Sequence, residues 1–234
     1  MNTFAEGRVI LIDKPLHWTS FDVIRKIRNA IKVKKVGHAG TLDPLATGLL
    51  IVCTGKFTKN INEYMAQAKE YTGTITLGAT TSTYDLESEP ENELPVADLT
   101  PEMIYAATAA FTGEIMQVQP AHSATKLNGK RVYELARQGK EVKLEPRRLT
   151  IYSFEITSIG MPHVGFRVRC STGTYIRSLA NDFGQHLGCG GYLSKLRRTK
   201  IGDFDVEDAM TMDAFRESVA AMPERDDEQP EMED

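Results

Sequence analysis

The sequence predicts an α+β protein in which a mixed, largely antiparallel central sheet is flanked by helices. Strand-like and helix-like runs alternate along the 234 residues, but LTIYSFEITSIG and HVGFRVRCSTG follow one another with no helix between them. Consecutive strands of this kind pair antiparallel, whereas parallel strands need a longer crossover. A chain of this length with 41% hydrophobic residues also buries a sizeable core without disulfides.

Residue spacing predicts the individual elements in chain order. RVILID is typical of a strand, and Thr19 or Ser20 can cap a helix that runs to about Lys32 with isoleucines at helical spacing. The other predicted strands are GLLIVCTG, YTGTITLGAT and the pair already named; the other predicted helices are INEYMAQAK, TPEMIYAATAAFTG, VYELARQG and TYIRSLANDFGQHLG.

Charge is strongly segregated along the chain, although the formal net charge is only −4. Residues 203–234 hold thirteen carboxylates and two arginines, and residues 84–98 hold six carboxylates and no basic residue, which leaves +13 on the remainder. A basic body suggests a polyanionic partner, while acidic runs are also common as solvated surface. We expect residues 84–98 to form an exposed connection and residues 217–234 a disordered acidic tail.

Several classes of protein are disfavoured by the sequence. The longest apolar run, residues 49–53, is too short to span a membrane, and the N-terminus lacks the features of a signal peptide, so we expect a cytoplasmic protein. Cys53, Cys170 and Cys189 are too scattered for a disulfide framework and are expected to be reduced and mostly buried.

Motifs for common cofactors and metals are incomplete. Lys56 is followed by Phe57 where a phosphate-binding loop requires Ser or Thr, and GCGGY at residues 188–192 follows a predicted helix where a dinucleotide fingerprint requires a strand. His186 and Cys189 stand three residues apart with no second pair to complete a metal site. The sequence therefore disfavours a nicotinamide or nucleoside triphosphate enzyme and a metal site.

The run GHAGTLDPLATG at residues 37–48 contains the strongest candidate for chemistry. Its glycines allow tight turns and Pro44 restricts Asp43, so a carboxylate is presented on a constrained loop, although an Asp-Pro turn alone is also common. Arg177 is a second candidate, because a guanidinium in the first turn of a helix opposes the helix dipole and suggests an anionic partner. Tyr71, at the head of a predicted strand, would ordinarily be a core aromatic.

Five motifs in order resemble those of the TruB family of tRNA pseudouridine synthases. They are LIDKP with TS shortly after, GHAGTLDPLATGLL, KEYTGTITLG, KLNGKRVYELARQG and STGTYIRSLANDFGQHLGCGGYLSKLRR. The resemblance covers roughly residues 8–215. It implies the pseudouridine synthase fold, with a catalytic domain at residues 1–216 that precedes the acidic tail.

The resemblance also implies a reaction and a set of site residues. The uridine at position 55 in the T loop of tRNA would be flipped out and isomerised to pseudouridine, without metal or organic cofactor. Asp43 would be the catalytic carboxylate, paired with Arg177, and Tyr71 would stack on the base and assist removal of its C5 proton. The remaining residues expected to contact the substrate are His38, which would fill the vacated space, Tyr175, Leu196 and Lys14.

The sequence departs from the family pattern in three places, and two rival functions account for part of its features. His17 stands where a glycine is usual, His122 stands where an aromatic residue is often found, and no C-terminal PUA-type module is recognisable, so acceptor-stem binding is expected to be weak. A non-catalytic tRNA-folding chaperone would need the basic surface but not Asp43, Tyr71 and Arg177 together. A glycoside hydrolase normally needs two carboxylates. The sequence leaves open whether Asp43 attacks C1′ or removes the C2′ proton, and a monomer is expected.

Overall fold

A nine-stranded sheet forms the centre of the protein in the computed structural model, which describes residues 3–120, 126–127, 130–131 and 144–222. Its strands are β1 (Val9–Lys14), β2 (Val36–Ala39), β3 (Ala46–Thr54), β4 (Lys69–Leu77), β5 (Gly113–Gln117), β8 (Arg147–Gly160), β9 (His163–Cys170), β10 (Gly191–Ile201) and β11 (Phe204–Asp205). A separate two-stranded ladder joins β6 (Lys126–Leu127) to β7 (Lys130–Arg131).

The predicted mixed, largely antiparallel sheet is confirmed. The strand order is β1-β3-β10-β4-β9-β8-β5, with β2 paired to β3 and β11 to β10. The ladder between β3 and β10 is parallel, whereas the other ladders in the described part of the sheet are antiparallel. The pair β8 and β9 is joined at the predicted turn, where Gly160 pairs with His163. Strand β10, which the sequence analysis did not predict, lies between β3 and β4.

Helices flank this sheet. They are α1 (Thr3–Glu6), α2 (Ser20–Ile31), α3 (Ile61–Ala66), α4 (Pro101–Ala107), α5 (Ile176–His186) and α6 (Met212–Ala220). Thr19 caps α2 as predicted. Its side chain accepts a hydrogen bond from Asp22 N, and the Asp22 carboxylate accepts one from the Thr19 backbone N–H. The same helix ends at Lys32, whose backbone adopts the left-handed conformation. The helix predicted from VYELARQG lies outside the described residues, as does His122.

Two main apolar clusters hold the helices against the sheet. In the first, Leu179 and Phe183 of α5 pack with Ile75 of β4 and Phe166 of β9. In the second, α2 and α6 pack against β1 and β3 through residues that include Ile24, Ile27, Leu50 and Phe215. Strand β10 connects the parts of the sheet that carry these two clusters, because it pairs with both β3 and β4.

Helix α6 changes the expected boundary of the acidic tail. The boundary predicted at residue 217 falls inside this helix, which continues to Ala220 because Val219 packs on the second cluster. Residues 223–234 lie outside the described part of the chain. Cys53, Cys170 and Cys189 are buried free thiols, as predicted. No helix among the described residues is long and apolar enough to cross a membrane.

Candidate active site

Asp43 lies on the loop between β2 and β3, and contacts from the start of α2 hold this loop on both sides of it. Ser20 Oγ accepts a hydrogen bond from Leu42 N at 2.9 Å and donates one to Leu42 O at 3.2 Å. His17 N donates to Pro44 O at 2.8 Å, and Asp43 O accepts from Ala46 N at 3.0 Å. The loop is therefore a fixed platform for one carboxylate.

Arg177 pairs with Asp43, as the resemblance implied. Its Nε lies 2.9 Å from Asp43 Oδ2, and the arginine side chain is 6% exposed while that of Asp43 is 41% exposed. Arg177 lies in the first turn of α5, where the helix dipole disfavours a cation, so the carboxylate offsets both burial and dipole. The carboxylate is thus bound on one side and open on the other.

Asp85 is a second partner of Arg177, and the sequence analysis missed it. Asp85 Oδ2 lies 3.6 Å from Arg177 Nε, and the Asp85 side chain is 6% exposed. Thr83 Oγ1 donates to Asp85 Oδ1 at 2.6 Å. The expectation that residues 84–98 form an exposed connection is therefore wrong at Asp85, because the guanidinium offsets the burial of its carboxylate. Nothing in the sequence separates Asp85 from the other acidic residues of that run.

A cavity of about 370 Å³ opens beside Asp43, which is within the size range of small-ligand sites. Four other predicted site residues line it with Asp43: Tyr71, Tyr175, Arg177 and Leu196. Tyr71 comes from β4, Leu196 from β10, and Tyr175 immediately precedes α5. Tyr175 is fixed through its backbone, whose N–H donates to Gln117 Oε1 at 2.9 Å and whose carbonyl accepts from Gln117 Nε2 at 3.1 Å.

Two basic residues that the sequence analysis did not single out also line the cavity, Lys69 and Arg198. Burial lowers the pKa of Lys69 to about 8, and the nearby charge of Arg198 acts in the same direction. Lys69 Nζ donates to the carbonyl oxygens of Met65 and Gln67. Burial raises the pKa of the Tyr71 phenol, and the charge and hydrogen bond of Arg198 oppose that rise.

Lys14 does not line this cavity, and its expected contact with the substrate stays a prediction. Its side chain is fully buried, and Nζ donates to Pro15 O at 2.9 Å and Trp18 O at 2.6 Å. Burial lowers its pKa to about 8, against the opposing attraction of Asp43. Lys14 instead fixes the turn that carries His17 and thereby supports the Asp43 loop.

His38 lies behind the loop and not among the residues that line the cavity. It is on β2 opposite Val52, and burial followed by the charge of Arg198 lowers its pKa, so the ring is neutral near pH 7. The structure therefore does not bring His38 together with Asp43 and Tyr71, and its expected entry into the space left by a flipped base stays a prediction.

His17 adopts the conformation that a glycine would favour. Its φ is +65°, in the left-handed region, and its backbone N–H reaches Pro44. The replacement of the usual glycine therefore keeps the turn and adds backbone strain.

The fold and the site define the class of pseudouridylate synthases, and comparison with known proteins agrees. The model described as TruB family pseudouridylate synthase, N-terminal domain, matches residues 28–176, and the model described as tRNA pseudouridylate synthase B C-terminal domain matches residues 177–233. The chain belongs to the TruB family.

Relatives and solved structures give the same result. A tRNA pseudouridine synthase B of Flavobacterium johnsoniae is 52% identical over 92% of this chain and 97% of its own, and one of Phocaeicola vulgatus is 47% identical over 92% and 94%. A chain in the crystal structure of a Cbf5-Nop10-Gar1 complex superimposes with a TM-score of 0.72 at 31% identity. That match covers 92% of this chain and 54% of the solved one, so this chain spans about half of that structure.

Proposed function

We propose that this protein isomerises a uridine of tRNA to pseudouridine. The observation that supports this most directly is the Asp43–Arg177 pair at the wall of a cavity that Tyr71 and Leu196 also line. In this proposal the uracil ring enters the cavity that the phenol and the leucine side chain line, and the carboxylate acts at the sugar. The choice of tRNA as the substrate is supported by relatives that are named tRNA pseudouridine synthase B.

The reaction uses the charge and position of Asp43. Cleavage of the N1–C1′ bond needs a carboxylate at the sugar, either as the nucleophile that attacks C1′ or as the base that takes the C2′ proton. Arg177 pairs with that carboxylate and fixes its rotamer. The base then turns and rejoins through C5, and we propose that Tyr71 assists loss of the C5 proton. Because the reacting atoms are inaccessible in a stacked loop, the nucleotide must be flipped out.

The finer assignment is the uridine at position 55 in the T loop. It rests on the resemblance of the five motifs, and a T-arm stem-loop is expected to suffice as substrate. Action as a monomer stays a prediction. A tRNA substrate supports a cytoplasmic location.

Asp43→Asn is the variant that tests this function. The amide keeps the shape of the carboxylate but loses its charge, so the protein should bind a T-arm stem-loop within a few-fold of wild type and lose essentially all turnover. Arg177 keeps Asp85 as a partner, so the variant should fold. Pseudouridine is measured by carbodiimide mapping, with EDTA present throughout.

Asp203→Asn is the matched control, since Asp203 is an exposed aspartate in a turn. It should leave turnover unchanged. Turnover of Asp43→Asn within tenfold of wild type would reject the assignment. Tight binding with no modification by the wild-type protein would favour the alternative of a non-catalytic tRNA-folding chaperone.

A further inference from the structure

Arg198 is a buried arginine in the middle of the sheet. It lies on β10 and is 1% exposed. Its Nε donates to Leu49 O of β3 at 2.8 Å, and its Nη2 donates to Gly40 O at 3.0 Å. Gly40 is the residue at which the chain leaves β2 for the Asp43 loop. One guanidinium thus connects the sheet to the start of the loop that carries the carboxylate.

The same side chain reaches Tyr71. Arg198 is the direct partner of Tyr71 in the antiparallel ladder between β10 and β4, so both side chains lie on one face of the sheet. The charge of Arg198 opposes the rise that burial causes in the pKa of the Tyr71 phenol, and both residues line the cavity beside Asp43.

We propose that Arg198 is a positioning residue for the reaction: it joins the Asp43 loop to the Tyr71 phenol and supplies the positive charge that makes Tyr71 able to take the C5 proton. The inference deepens the proposed function and rests on it. Arginine suits the role because its planar fork holds several acceptors in a fixed geometry.

The chemistry requires a charge beside Tyr71. Tyr71 first releases its phenolic proton to water. After C5 has joined C1′, the C5–H bond breaks, its electron pair returns to the uracil ring and N1 takes a proton from water, while the C5 proton moves to the phenolate oxygen and restores the phenol. Burial of Tyr71 disfavours the phenolate, whereas an adjacent guanidinium stabilises it.

Fold stability alone does not account for an arginine here. A buried cation costs free energy of desolvation that an apolar side chain of similar volume avoids. The charge of Arg198 also lowers the pKa of its neighbours Lys14, His38 and Lys69, so it is placed beside other basic groups.

The test compares Arg198→Lys, which keeps the charge, and Arg198→Met, which removes it, with Arg197→Met. Arg197 is the adjacent residue of β10; it does not line this cavity and pairs with Asp13 at 2.7 Å. Each variant is checked for folding by thermal unfolding. The single-turnover rate is then measured at saturating T-arm stem-loop, with hydrogen or deuterium at uridine C5.

We expect Arg198→Met to slow single turnover by about 100-fold and Arg198→Lys by about tenfold, with dissociation constants for RNA within about twofold of wild type. Both should show a larger C5 isotope effect than wild type, because C5 deprotonation becomes limiting. In a Tyr71→Phe background, Arg198→Met should add little further loss. Arg197→Met should stay within about threefold of the wild-type rate, with an unchanged isotope effect.

Three results would each overturn this role. The first is a wild-type rate in folded Arg198 variants, the second is a slower rate with no change in the isotope effect, and the third is full additivity with Tyr71→Phe. Failure of even Arg198→Lys to fold would also overturn it, because it would make the residue purely structural. If the wild-type protein forms no pseudouridine, the proposed function fails and this role with it; formation that is indifferent to Arg198 rejects this inference alone.

Discussion

At the scale of single residues, burial distinguishes the two carboxylates that pair with Arg177. Arg177 is enclosed between Asp43 and Asp85, and only Asp43 has a substantially exposed side chain. The buried Asp85 helps to offset the burial of the guanidinium, so Arg177 does not depend on Asp43 alone for its partner. This arrangement is consistent with the proposed action of Asp43 at the sugar, because Arg177 keeps a second partner.

His17 offers a test of strain beside this site. His17→Gly should stabilise the protein by roughly 0.5–1 kcal/mol, because a left-handed non-glycine residue costs about 1–2 kcal/mol and the added freedom of the unfolded chain returns part of it. Urea unfolding measures the change. His17→Ala, which keeps the strained φ, should give no such gain. Equal stabilisation by both variants would assign the effect to the imidazole and not to the backbone.

At the scale of elements, the catalytic loop depends on the start of α2. Ser20→Ala should destabilise the protein by about 1–3 kcal/mol, because it leaves the backbone N–H and carbonyl of Leu42 without their partner. Asp43 would then be held less firmly, so the single-turnover rate should also fall, by about tenfold or more.

Ser218→Ala serves as the comparison for this variant. Ser218 Oγ donates to Phe215 O at 2.8 Å within α6, away from the loop. It should change stability slightly and leave the single-turnover rate unchanged. A Ser20 variant that loses stability but retains the full rate would show that catalysis does not need the two hydrogen bonds between Ser20 and Leu42.

Much of the element pattern is predictable because apolar spacing and caps act locally. Strand β10 was missed since four of the six residues from Lys195 to Lys200 are basic, a composition that disfavours strands. Its place is set by pairing with β3 and β4, which are distant in sequence. Asp43, Tyr71 and Arg177 were found through motifs, whereas Asp85 and the enclosure of Lys14 depend on tertiary contacts that no local pattern carries.

At the scale of the whole molecule, charge segregation should govern RNA binding. Removal of residues 223–234, which hold seven carboxylates and one arginine, should strengthen stem-loop binding by about threefold at low salt and leave stability unchanged. The logarithm of affinity should fall with log salt by about 0.7 per single-strand phosphate and 0.9 per duplex phosphate neutralised. The gain should fade at high salt, as measured by fluorescence titration.

A full-length variant with those carboxylates replaced by their amides separates charge from chain length. It should match the deletion. Weaker binding or lower stability after truncation would instead assign residues 223–234 to the fold or to the RNA interface.

The insertion of β10 between β3 and β4 also has a consequence for synthesis on the ribosome. Both neighbours leave the exit tunnel more than a hundred residues before β10, so each presents an unpaired edge to other nascent chains during that interval. We expect chaperones that shield such edges to improve the yield of this protein. Because β10 also brings Leu196 and Arg198 to the cavity, a nascent chain in which β10 has not yet been added lacks part of the wall of this cavity.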